Sequence, residues 1–158
     1  MPSWAADIFQ SPEAFIEESF AGKPPVKQTL TIDEKTMESV HEIMGDHYQL
    51  SQADYWLKDG RSAWILEAIG KVKPITTGFI VAGNKLEKVK VLIYRESHGW
   101  EVKYPFFTDQ FKEKELDIDY MELDGYIDNI SGATLSVKSL TRKAALALFL
   151  HQPVTPNE

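Results

Sequence analysis

Two rhythms of apolar residues run along this chain: spacings of three and four toward both ends, and alternation in the middle. They predict helices flanking a β-rich centre. A first helix is expected from Ser11, with Pro12 at its first position and Glu13 at the positive end of the dipole. Ala14, Phe15, Ile16 and Phe20 form its apolar face, and Ala21-Gly22-Lys23-Pro24-Pro25 ends it. A second helix fits Asp33 to Met44, with Thr31-Ile32-Asp33-Glu34 as a capping box, Met37, Val40 and Met44 as its stripe, and Gly45 as its stop.

The centre reads as strands over Ala63–Ile69, Ile75–Val81 and Leu86–Tyr94, with a turn at Gly83-Asn84. Glu101–Tyr104 is expected to return as a short strand, and Phe106–Phe111 to make a helical turn. The last helix is predicted from about Ser136 to Leu150 on the stripe Val137, Leu140, Ala144 and Leu148, closed by Pro153. The fold class expected is α+β: a twisted antiparallel meander packed with helices, preceded by an N-terminal helical extension over residues 1–60.

Composition narrows the function. The 158 residues fit one domain with a sizeable core. A net charge of −7 gives no generic attraction for nucleic acid or anionic lipid. The absence of cysteine excludes disulfides, a thiol nucleophile and a zinc–thiolate site. No apolar run approaches a membrane span. Met1-Pro2-Ser3-Trp4 opens no signal peptide, so the protein is either cytoplasmic or has lost an export signal. His41, His47, His98 and His151 show no metal-ligand spacing, and a cation at His151 would suit the end of the last helix. Asp117 and Asp119 read as a polar strand edge, and no nucleophile–base set is visible.

The chemistry concentrates in Asp128-Asn129-Ile130-Ser131-Gly132-Ala133-Thr134-Leu135-Ser136. Small residues around a glycine allow close backbone approach, and the N–H groups of a helical first turn favour a phosphate. Thr134 presents a hydroxyl to the same place. Lys138, one turn on, reaches either the phosphate or solvent. The alternative is a plain helix start, with Ser131 or Thr134 as N-cap.

This segment resembles the flavinylation motif of the FMN-binding domain family, which includes the covalent-flavin subunits of sodium-pumping NADH:quinone oxidoreductases and of Rnf-type complexes. The pattern Asp-x-x-(Ser/Thr)-Gly-Ala-Thr is met at Asp128, Ser131, Gly132, Ala133 and Thr134. The resemblance covers roughly residues 62–150, through Trp64-Ile65-Leu66-Glu67, Pro74-Ile75-Thr76-Thr77-Gly78-Phe79 and Val91-Leu92-Ile93-Tyr94-Arg95-Glu96-Ser97-His98-Gly99. Ion-pump subunits carry a Glu-Thr-Pro-Gly loop where this chain has Glu96-Ser97-His98-Gly99, and a membrane anchor, which argues for a stand-alone carrier.

The resemblance implies FMN esterified through its phosphate to Thr134 by a flavin transferase acting outside the cytoplasm. Asp128, Ser131, Gly132, Ala133, Ser136 and Lys138 would then serve the phosphate pocket or transferase recognition. Glu96 and His98 are candidates for hydrogen bonds to the ring edge or for a solvated loop, Gly99 is a further candidate cofactor-binding residue beside them, and Trp100, Tyr104 and Phe106 are candidates for the ring's wall or for the ordinary core. It divides the chain into an extension (1–60), the FMN-binding domain (61–152) and a tail (153–158). The implied function is extracytoplasmic electron transfer with a membrane or periplasmic redox partner. A small flavin reductase with non-covalent FMN and a non-flavin anion- or partner-binding module are the rivals. The lack of a Gly-rich dinucleotide fingerprint weighs against the reductase.

Overall fold

A computed structural model describes residues 7–69, 74–95 and 100–156. Its centre is a six-stranded antiparallel sheet of β1 (Asp7–Ile8), β2 (Gln28–Thr31), β3 (Gln52–Lys58), β4 (Arg61–Ile69), β5 (Pro74–Ala82) and β6 (Lys85–Tyr94). The spatial order is β1-β6-β5-β4-β3-β2. Two tight turns set the register of the meander. Asp59-Gly60 and Gly83-Asn84 both place two consecutive residues at positive φ, the conformation that matches the twist of the flanking strands.

The two faces of the sheet are covered unequally. Helices α2 (Glu34–Met44) and α4 (Thr134–Val154) pack on one face, over Trp64, Phe79, Val89 and Val91. The shorter α1 (Pro12–Ser19) covers the other face with Phe15, Ile16 and Phe20 against Ala63, Ile80 and Leu92. Gly78 makes that contact possible, because a Cβ there would lie 2.5 Å from Phe15 Cε2. A short helix, α3 (Pro105–Thr108), and a hairpin of β7 (Leu116–Asp117) and β8 (Glu122–Leu123) complete the fold.

The α+β meander with its C-terminal helix is therefore as expected from the sequence. Residues 7–58 hold the two expected helices but also three strands of the sheet, so this stretch is more than a helical extension. Glu101–Tyr104 is not a strand. Trp100–Lys103 is a 3₁₀ turn, because β1 already occupies the edge of β6 that a returning strand would need. The cap of α2 is Asp33, whose carboxylate accepts from the Thr36 N–H at 2.7 Å, rather than Thr31. Helix α4 runs to Val154, so Pro153 lies inside its last turn.

His151 is a further correction. It is fully buried, with Nδ1 2.6 Å from Ser62 Oγ. The Trp64 indole donates to that same oxygen at 2.7 Å, which leaves the hydroxyl proton of Ser62 for the imidazole. Asp117 accepts from the N–H groups of Asp119 and Tyr120, so the acidic pair shapes a turn after β7.

Gly78→Ala is expected to destabilise the fold by about 1–3 kcal/mol, as overpacking does when the neighbour is itself fully buried. A lowered urea midpoint with an unchanged slope would register it.

Candidate functional site

Strands β4 and β6 end, and β5 begins, at the end of the sheet where α4 starts. The Tyr94 and Ser136 hydroxyls, 3.2 Å apart, fasten the end of β6 to the first turn of α4. The chain approaches that turn through residues 127–133. Ile127 is buried and Ile130 half-buried, which anchors the approach from below. The Asp128 N–H donates to Gln110 Oε1 at 2.8 Å, and Gln110 Nε2 donates to the Phe107 carbonyl at 3.1 Å. Gln110 thus ties the motif to the end of α3.

Gly132 has φ +83°, and a Cβ there would meet nothing within 4 Å, so its value is conformational. The turn closes with the Ala133 N–H on the Ile130 carbonyl at 2.9 Å. Ala133 is the N-cap, and no side chain caps the helix. Neither Ser131 nor Thr134 plays the capping part that a plain helix start would assign them. The first-turn N–H groups of a 21-residue helix are thus left without a side-chain acceptor, at the positive end of its dipole.

Thr134 is the first residue of that helix and is exposed. Asn129 Nδ2 donates to its Oγ1 at 3.1 Å, which holds the hydroxyl oxygen in place. Asn129 was not singled out in the sequence, where it fills a variable position of the motif. Ser131, Asp128 and Lys138 are exposed around the same start, while Ser136 is buried through its contact with Tyr94.

A cavity of about 1270 Å³ opens beside this turn. Leu135, Lys138, Ser139 and Arg142 line it from α4; Met44, Tyr48 and Leu50 line it from α2 and the segment after it. It exceeds the roughly 300–1,000 Å³ usual for a small-molecule site. Tyr104 and Phe106 are elsewhere, stacked on each other with centroids 6.1 Å apart and 39% and 69% exposed. They are neither core residues nor part of the cavity wall. Trp100 opens the 3₁₀ turn. Glu96, His98 and Gly99 lie outside the described residues.

Sequence reasoning missed Lys143. It falls on the apolar stripe of α4 between Leu140 and Ala144, and that misplacement was its visible signal. It is fully buried, and Nζ donates to the Ile75 carbonyl at 2.7 Å and to Thr77 Oγ1 at 3.2 Å. Burial pushes its pKa down to about 7, with the Glu67 carboxylate acting in the opposite sense. Tyr48, whose hydroxyl donates to the Glu67 carbonyl at 3.1 Å, is pushed up to about 12, chiefly by burial and also by that carboxylate.

An uncapped helix start, an exposed and oriented hydroxyl, and an adjoining cavity thus meet at one end of an α+β domain. Residues 70–148, half of the chain, match the model of the FMN-binding domain family, and the chain belongs to that family. Membership supports FMN as the cofactor and electron transfer as the general function. No curated protein and no solved structure matches the chain. Among the described residues no cluster of His, Asp or Glu could hold a metal ion, and no helix is long and apolar enough to cross a membrane.

Lys143 gives a pH signature. Between about pH 7 and 10 the buried amine is neutral in the folded protein and protonated in the unfolded chain. The unfolded state then binds the extra proton, so stability rises with pH across that window, by about 1.4 kcal/mol per unit at most. Above about pH 10 the raised Tyr48 opposes the trend, since the unfolded phenol ionises first. Urea titrations at several pH values should show the rise in the parent protein and its loss in Lys143→Met.

Proposed function

We propose that this protein is an electron carrier whose FMN is held by a phosphoester bond to Thr134 Oγ1. The observation that carries the reading is the exposed Thr134 hydroxyl on a helix start with no side-chain cap, beside a cavity wide enough for a tricyclic ring. The singly charged phosphodiester so formed suits that position through the free N–H groups and the dipole together.

Attachment is a group transfer from FAD. The Thr134 oxygen attacks the FMN phosphorus, the Oγ1–P bond forms, and the pyrophosphate P–O bond breaks with AMP as leaving group. The hydroxyl proton passes to a base on the flavin transferase that serves the family. Asn129 orients the acceptor oxygen, and Gly132 keeps the approach clear of side chains. Asp128, Ser131 and Ala133 present the motif to the transferase, and Lys138 stands one turn along the helix to offset phosphate charge. Bound FMN supplies reversible uptake and release of electrons. A covalent tether suits a compartment where lost flavin cannot be replaced, which supports reading the protein as an extracytoplasmic carrier with a membrane or periplasmic redox partner.

Co-expression with a flavin transferase tests this. Intact mass should show an excess of one FMN minus water, located on the peptide that holds Thr134 and absent in Thr134→Val. Yellow colour released by acid precipitation, with no mass excess, would instead indicate non-covalent FMN and sink the tether.

A further inference from the structure

The sheet is incomplete at the end where α4 begins. Strands β3 and β4 leave their turn as a regular hairpin, paired from Lys58↔Arg61 to Tyr55↔Trp64. There the ladder stops, although β3 starts as early as Gln52 and β4 continues to Ile69. Beyond that point β3 pairs with β2, and β4 with β5. Continued in the same register, the ladder would have joined Asp54 to Ile65, Ala53 to Leu66 and Gln52 to Glu67. All six of these residues line the 1270 Å³ cavity. The strands therefore splay, and the cavity enters the sheet as a slot between them.

The slot is prepared for a polar atom. Ser139 lines it from α4, and its Oγ is buried with no hydrogen-bond partner among the described residues. Leaving a buried hydroxyl unsatisfied costs about 1–3 kcal/mol, so a persistent orphan points to a missing acceptor or donor. Met44, Leu50, Leu66 and Leu135 make the walls apolar. The Glu67 carbonyl, on the strand edge, already takes a partner from outside the ladder, the Tyr48 hydroxyl.

A slot between parted strands, with apolar walls and one waiting hydroxyl, suits a planar ring with an apolar end and a polar edge. Leu135 and Lys138, the residues immediately after and one turn beyond Thr134, also line the cavity. We infer that the slot between β3 and β4 seats the isoalloxazine ring, with Ser139 Oγ donating to an acceptor on its pyrimidine edge. This rests on the reading of the chain as a Thr134-tethered FMN carrier. It adds that strands β3 and β4, which precede the family-matched residues 70–148, form the two edges between which the ring sits.

The test uses two preparations of the full chain. In flavin-loaded protein, Trp56, which lines the cavity, should be quenched by the ring; the loss of emission on loading should shrink in Trp56→Phe. Ser139→Trp, which fills the slot, should leave labelling of Thr134 intact, displace the flavin absorption bands and expose the flavin to iodide quenching. The milder Ser139→Ala, which keeps the fold, should shift the bands and the midpoint potential without changing labelling. In unlabelled Thr134→Val protein, lumiflavin should bind saturably, several-fold more weakly in the Ser139→Ala background and at least tenfold more weakly with Ser139→Trp. Absence of labelling with lumiflavin binding retained would remove the tether and keep the seat. Labelled protein whose spectrum, potential and iodide quenching ignore both Ser139 variants would overturn the seat, as would lumiflavin binding that is absent or indifferent to Ser139.

Discussion

The placement of the functional end depends on how α4 is pinned across the sheet by buried polar contacts. Ser136 meets Tyr94 at the first turn, Lys143 reaches the Ile75 carbonyl in the middle, and His151 meets Ser62 near the far end. Apolar packing alone tolerates small slides of a helix along its groove. Buried polar groups do not, because each slide would strand a donor or acceptor without water to replace its partner. The three contacts fix rotation and depth together. They determine that Thr134 projects outward while Leu135 and Ser139 turn toward the cavity.

The helix start is an unusual compromise. Most helices satisfy an early N–H with a Ser, Thr, Asp or Asn side chain at the N-cap. Asp33 does this for α2 and Ser11 for α1. The longest helix of the protein has alanine in that position and no side-chain cap, with Thr134 held instead by Asn129. The same chain thus caps α1 and α2, and leaves without a side-chain cap both the one-turn α3 and the long helix that follows the Asp128–Thr134 motif. A capping oxygen at position 133 would compete with a phosphate for the same N–H groups.

Much of this was legible in the residues. Alternation in Leu86–Tyr94 and the Gly83-Asn84 turn announced the meander, and the stripe of Val137, Leu140, Ala144 and Leu148 announced α4. The motif from Asp128 to Thr134 identified the family that the match over 70–148 shows. What stayed hidden depends on pairing across long separations. β1 has two residues and β2 reads Gln-Thr-Leu-Thr, so neither carries enough apolar pattern to be recognised apart from its neighbours. Ser139 is an ordinary polar residue in sequence, and it becomes notable where β3 and β4 part. In sequence His151 offered only a cation suited to a helix end, because nothing local reveals Ser62, 89 positions away, as its partner.

The edges of the sheet carry a last implication. β1 lies at one border and β2 at the other, and α1, between them in the chain, crosses the back of the strands they enclose. Residues 7–31 therefore act as a strap drawn around the molecule. They are synthesised before the strands they enclose, yet β1 must wait for Ile93 and Tyr94 before its end can fasten. Phe15, Ile16 and Phe20 of the same strap cover Ala63, Ile80 and Leu92 on that side. Such late, long-range closure makes completion of the fold slow and cooperative, and leaves the nascent chain dependent on protection against association until the strap is tied.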